Sequence, residues 1–263
     1  MRIRIPYRLT YYWACLRDVS DLRAAAAFIS NRRLPITFRA RLAFVRAIYR
    51  ISRFVDCPHT QAEILAVATA LLSMPTSSPG CVVEAGCFKG GSTAKLSLAA
   101  KLANRELVAF DSFEGLPKND ERHGTSIHGE TPNFSEGRYL GTLDEVKASV
   151  ASHGDIARCQ FIKGWFNETM PLFKQGVAVA FLDVDLASST RTALANLYPL
   201  VVPGGCIFSQ DGHLPLVIDV LKDDQFWRQE VQYPKPLMEG LGTQKLVRIR
   251  KDFSSSTSIF HSS

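Results

Sequence analysis

The run Val82-Val-Glu-Ala-Gly86-Cys-Phe-Lys-Gly-Gly91-Ser-Thr93 decides the fold. It opens on apolar, β-branched residues, passes through glycines and continues at helical spacing over 92–102, which reads as strand, tight turn and helix. A dinucleotide site would write that turn GxGxxG. Here the glycines stand at Gly86, Gly90 and Gly91, and an acid, Glu84, precedes the first by two residues. A carboxylate there would repel a pyrophosphate, whereas a cationic sulfonium amino acid tolerates it. A turn with no ligand also selects glycine, so the turn alone leaves both readings open.

Toward the C-terminus, short apolar runs alternate with helical stretches. Runs at 107–111, 160–163, 177–183 and 206–210 are separated by helical patterns starting at 142 and spanning 167–174 and 188–198, with another at 215–226. Apolar strands alternating with helices specify an α/β fold with a doubly wound, mostly parallel sheet. Two final runs, 228–233 and 245–250, are expected to form a terminal antiparallel pair. In such a sheet ligands bind beyond the carboxyl ends of the strands. Asp111 ends the second run about 20 residues after the glycine turn, where an acid accepts from ribose hydroxyls. The plainer role for Asp111 is capping the next turn.

Toward the N-terminus, residues 18–73 read as helices, with Leu42, Val45, Ile48 and Tyr49 on one face and a capping box at Thr60-Gln-Ala-Glu63. Turn chemistry at 74–80 marks a boundary. The expected organisation is a helical, arginine-rich extension over 1–74, a catalytic domain over 75–252 and a disordered tail over 253–263. The net charge of +6 is uneven: residues 1–56 hold 12 arginines and no lysine and carry +9, and the remainder carries −3. That charge suits a solvated helical face. It also suits peripheral contact with an anionic membrane, or with a second copy of the chain, through 1–56. The longest apolar run, 64–74, is too short to span a bilayer. The N-terminal 9–16 stretch lacks a small-residue cleavage site, and six cysteines without a CxxC pair read as reduced thiols. A cytoplasmic location follows as the expectation.

Five blocks together carry a resemblance: Val83-Glu-Ala-Gly-Cys-Phe-Lys-Gly-Gly-Ser92, Ala109-Phe-Asp-Ser-Phe-Glu-Gly-Leu-Pro117, Lys163-Gly-Trp-Phe-Asn-Glu-Thr-Met-Pro171, Phe181-Leu-Asp-Val-Asp-Leu-Ala-Ser-Ser-Thr190 and Leu197-Tyr-Pro-Leu-Val-Val-Pro-Gly-Gly205. In this order they resemble the macrocin O-methyltransferase family of S-adenosylmethionine-dependent enzymes, over about residues 75–213. The resemblance implies a Rossmann-like sheet of seven strands with the last antiparallel, and O-methylation of a small-molecule hydroxyl on a sugar or glycosylated natural product. It implies that Glu84, Gly86, Gly90, Gly91 and Ser92 hold the methionine end of S-adenosylmethionine. Asp111 and Ser112 would take the ribose, and Trp165 would lie by the adenine. For Trp165 the ordinary alternative is core packing.

Members of that family hold Mg²⁺ with one carboxylate after the fourth strand and an Asp-Asp pair after the fifth. The corresponding residues are Asp183 and the pair Gln210-Asp211, in which an amide replaces one acid. The resemblance implies that Asp183 is both a metal ligand and a catalytic residue, and Asp185 reads more readily as a cap for the following helix. Where the family has Tyr-Glu-Ser-Thr, this chain has Ala187-Ser-Ser-Thr190. His213, two residues past Asp211, has equal claims as the general base for the acceptor hydroxyl and as a structural hydrogen-bonding group or fourth metal ligand. The long polar segment 117–141, with His123 and His128, reads as a substrate lid. A non-catalytic cofactor-binding or membrane-surface scaffold is the alternative of another class. A nucleic-acid methyltransferase is disfavoured, and no nucleic-acid partner is expected, because the catalytic half has no basic patch interleaved with aromatics.

Overall fold

The computed structural model describes residues 17–252. Three helices come first: α1 (Val19–Ser30), α2 (Phe38–Phe54) and α3 (Gln61–Ser73). Each starts where a side chain takes up an orphan backbone N–H, at Asp18, Thr37 and Thr60, and Thr60 with Glu63 completes the expected capping box. One arginine of this basic stretch is not a surface charge. Arg41 is buried and donates to the Ile29 and Ile36 carbonyls, tying α2 to the end of α1.

The sheet follows: β1 (Cys81–Ala85), β2 (Leu107–Asp111), β3 (Cys159–Lys163), β4 (Val177–Leu182), β5 (Val201–Ser209), β6 (Met238–Glu239) and β7 (Val247–Arg250). Its order is β3-β2-β1-β4-β5-β7-β6, with the first five strands parallel and β7 antiparallel to both β5 and β6. This is the doubly wound, seven-stranded sheet implied by the sequence. Alternation along the strands divides the core into two faces. Val82, Leu107, Val179 and Phe181 share a buried cluster with Phe28, Ile48 and Ile64 of the first three helices. Val83, Val108, Ala180 and Leu182 face α7 (Ala187–Leu197) and α8 (Pro215–Lys222), through Leu194 and Val217. The helix α4 (Gly91–Leu102) joins the first face through Leu96 and Ala99, α5 (Leu143–His153), capped by Thr142 and Glu145, packs with Ala94 of α4 through Val146 and Val150, and Phe166 of the single turn α6 (Phe166–Thr169) packs on the second face.

One expected strand is replaced. The 228–233 run lies largely in a wide helical turn over Trp227–Val231, and the partner of β7 is β6. Asp223 accepts from the Gln225 and Phe226 N–H groups and so starts helical backbone here. Trp227 is then fully buried, its indole donating to the Leu221 carbonyl and its ring edge-on to Tyr198. That burial outweighs the β-leaning composition of the run. Residues 1–16 and the expected disordered tail from 253 lie outside the described residues.

Candidate active site

Strand order reverses between β1 and β4, and a cavity of about 840 Å³ opens beyond the carboxyl ends of the strands there. Gly86, Asp111, Ser112 and Trp165 line one end of it; Asp183, Asp185, Asp211, His213 and Lys245 line the other.

At the first end the chain backbone does most of the building. Gly86 has φ +88°, and a Cβ there would sit 1.9 Å from the Asp183 carbonyl oxygen, so only glycine lets the β1 turn lie against the end of β4. Asp111 accepts from the Cys87 N–H at 2.6 Å through one oxygen and from the Phe113 N–H at 2.7 Å through the other. The capping role and the cavity position therefore coexist, since each oxygen keeps a second lone pair. Burial raises Asp111 above the ordinary carboxylate range, against these two bonds. The Ser112 hydroxyl closes its own turn by donating to the Gly115 carbonyl. Trp165 is half-buried in the wall and precedes α6. Gly90, Gly91, Ser92 and Glu84 are buried and do not line the cavity. Burial pushes Glu84 up to about 7, although the hydroxyls of Ser92 and Thr93 act in the opposite direction.

The second end is built from side chains. Carboxylate oxygens of Asp183, Asp185 and Asp211 all come within 4.8 Å of one another. Asp211 is buried, and its Oδ2 accepts from the Val184 and Asp185 N–H groups at 3.0 Å each, which fixes the turn after β4. Asp185 takes a left-handed φ of +61°, an unusual conformation for a non-glycine residue. Burial and the neighbouring acids raise Asp185 well above its usual range and Asp211 to about 7. Asp183 goes the other way: burial opposes its charge, but His59 outweighs burial through a 2.8 Å contact between Nε2 and Oδ2. Lys245 lies in the same wall and is held charged by these acids and by Glu63 against its burial. Burial lowers His213 to about 4, with help from Lys245 and His128, so its imidazole is neutral near pH 7. His213 Nδ1 is buried with no hydrogen-bond partner among the described residues.

The sequence reading placed Gln210 in this cluster and gave Asp185 a capping role. Gln210 is fully buried, outside the cavity wall, and its side-chain amide finds no partner among the described residues. The cap of α7 comes instead from Glu121, whose carboxylate accepts from the Ala187 and Ser188 N–H groups at 2.7 and 2.9 Å. Glu121 also meets His123 at 3.1 Å. Glu121 belongs to the irregular segment between β2 and α5, which covers the cavity with Pro132, Phe134 and Tyr139. The same segment reaches His213, whose carbonyl accepts from the Ile127 N–H. His59, Lys245 and Glu121 were not singled out from the sequence. Each lies outside the motif blocks, and the topology brings Lys245 into the cavity wall and sets His59 and Glu121 against the lining residues Asp183 and Ser188.

Residues 66–239 match the model of the macrocin-O-methyltransferase family. The chain belongs to the macrocin-O-methyltransferase family. It is 33% identical over 175 residues to the 8-demethyl-8-(2,3-dimethoxy-alpha-L-rhamnosyl)-tetracenomycin-C 4'-O-methyltransferase of Streptomyces olivaceus, covering 63% of this chain and 64% of that protein. It is 28% identical over 138 residues to the demethyldecarbamoylnovobiocin O-methyltransferase of Streptomyces niveus, covering 51% and 53%. The chain thus spans less than two thirds of either relative. The solved structure of the O-methyltransferase NovP shares the fold with a TM-score of 0.61 and 20% identity, over 93% of this chain and 99% of that one. Among the described residues no helix is long and apolar enough to cross a membrane.

Proposed function

We propose that this member of the macrocin-O-methyltransferase family transfers a methyl group from S-adenosylmethionine to a hydroxyl of a sugar or glycosylated natural product. The observation that carries the reading is one cavity in which Asp111 and Trp165 face a cluster of three carboxylates and a neutral histidine. The two curated relatives, whose names place one on a rhamnosyl tetracenomycin and the other on demethyldecarbamoylnovobiocin, support the acceptor class.

The residues fit both groups the family implies. The cavity is acidic, which suits a sulfonium cation, and Asp111 and Ser112 line the part of its wall where a ribose would sit. Three converging carboxylates, two of them raised by burial and by the neighbouring acids, form a hard oxygen donor set that an added divalent cation would neutralise. Asp183, Asp185 and Asp211 would hold Mg²⁺; Gln210 is set back from them. When bound, the sulfonium supplies an electrophilic methyl and the metal supplies Lewis acidity. The chain itself does the rest. Asp111 and Trp165 fix the donor at one end, and the segment bearing Phe134 and Tyr139 excludes water above it. Neutral His213 takes the acceptor's proton as the oxygen reacts. The arginine-rich stretch 1–56 is read as a peripheral contact surface outside this chemistry.

Incubation with methyl-labelled S-adenosylmethionine and a panel of rhamnosides, glycosylated aromatics and free phenols tests the reading. Label on a sugar hydroxyl is expected. Cofactor binding with no label on any acceptor would favour a cofactor-binding scaffold.

A further inference from the structure

Of the three cavity carboxylates, Asp183 is the one met by a side chain from the N-terminal helices. His59 lies in the connection between α2 and α3, immediately before the capping residue Thr60. Its neighbour Pro58 lines the cavity. The imidazole is 2% exposed and sits edge-on to Phe181 of β4 at 5.0 Å. From there Nε2 approaches Asp183 Oδ2 at 2.8 Å. An ionised carboxylate only accepts, so Nε2 carries the proton in this contact.

The far side of the ring is also held. Cys57 Sγ lies 3.6 Å from His59 Nδ1, and Lys95, fully buried in α4, donates to that sulfur at 3.4 Å. The sulfur can accept from Nδ1 as a thiolate or donate to it as a thiol. In both states Nε2–H remains on Asp183. The glycine turn is fitted to this arrangement, because a Cβ on Gly91 would lie 2.6 Å from Cys57 Cβ. The row Lys95–Cys57–His59–Asp183 thus runs from the start of α4 to the cavity wall with no exposed member except the last, whose side chain is 21% exposed.

We propose that His59 is a positioning residue: it pins Asp183 Oδ2, leaving the other carboxylate oxygen to the cavity, so that the N-terminal helical segment completes the cation and acceptor end of the site. This rests on reading Asp183, Asp185 and Asp211 as a divalent-cation site. Outer partners of metal-binding carboxylates and histidines cost about 10–100-fold in metal affinity or activity when removed.

The test compares His59→Phe with His59→Gln. Phenylalanine keeps the ring against Phe181 and lacks the donor; the glutamine amide nitrogen can take the place of Nε2. Mn²⁺ affinity is read by electron paramagnetic resonance and S-adenosylmethionine affinity by calorimetry. The expected result is at least about tenfold weaker Mn²⁺ binding in His59→Phe, near wild-type binding in His59→Gln, and unchanged cofactor affinity in both. Equal Mn²⁺ affinity in wild type and His59→Phe, or equal losses in both variants, would overturn the role of His59 while leaving the cation site standing. A wild-type protein that binds no Mn²⁺ would overturn the cation site itself. If His59→Phe does not fold, ¹⁵N-histidine-labelled wild type decides: Mg²⁺ should shift the His59 Nε2 resonance, and a silent resonance would count against the proposal.

Discussion

The two ends of the cavity are made in different ways. At the Gly86–Asp111 end, one continuous turn and one strand end supply nearly everything, and the single acid there is satisfied by two backbone N–H groups. At the other end, three carboxylates converge with only two backbone donors among them, and the opposing charges come from distant segments, His59 before α3 and Lys245 before β7. A backbone-built site loses one interaction per substitution. A charge-balanced site loses the balance for every remaining member, because the desolvation cost of its buried charges stays when a partner goes.

The largest expected effect therefore lies at Asp211. Asp211→Asn removes a ligand oxygen and keeps at most one acceptor for the Val184 and Asp185 N–H groups. Methyl transfer and Mn²⁺ binding should fall by more than the roughly 100-fold that outer-shell partners cost, with cofactor affinity intact by calorimetry. Turnover that persists in Asp211→Asn and in excess chelator would erase the contrast between the two ends and leave proton removal to His213 alone.

Glu84 ranks next and is read through stability. Its folded pKa is about 7 against an ordinary 4.5, with burial as the cause. The folded state thus holds a proton that the unfolded state has released between those values, and stability falls as pH rises through that window. Glu84→Gln keeps the neutral form at all pH. It should match wild type near pH 4.5 and exceed it above pH 7 by on the order of 3 kcal/mol. Urea melts at pH 4.5 and 8.5 measure this, and a pH-independent difference would show that Glu84 is ionised in the fold.

The contrast also explains what the sequence could reveal. The Gly86 turn, Asp111 and both capping boxes are written in short contiguous stretches, where spacing alone fixes geometry. The acid end is legible only in part. Asp183 and Asp211 follow apolar strands and could be paired by topology, but Asp185 joins them through a left-handed backbone that no local pattern announces. His59 and Lys245 arrive by tertiary packing of segments with no motif of their own. Residues 228–233 misled for the opposite reason: their composition favours a strand, and the buried Trp227 with the Asp223 cap overrides it.

Asp111→Ala should weaken S-adenosylmethionine binding by about 1.5–3 kcal/mol, the range for a hydrogen bond to a charged group. Calorimetry should show this without any change in Mn²⁺ affinity. Coupled losses of both ligands would mean that the two ends are not independent.

The smallest effect is expected at Glu121, which joins the covering segment to the acid end. Burial raises its carboxyl, but hydrogen bonds from Ser188 and Ala187 outweigh burial and leave it below the usual value. A depressed folded pKa gives stability that is present above the unfolded value and lost as pH falls through the folded one. Glu121→Ala removes a cap from α7, a loss of about 1 kcal/mol near neutral pH, and the difference from wild type should shrink under acid. The same change frees one anchor of the segment between β2 and α5 while the Ile127–His213 backbone contact remains. Limited proteolysis should therefore cut that segment faster in Glu121→Ala, with cofactor affinity unchanged. Equal cutting rates would show that the aromatic contacts of Phe134, edge-on to His123 at 4.8 Å and tilted against Tyr139 at 6.3 Å, hold the cover without Glu121.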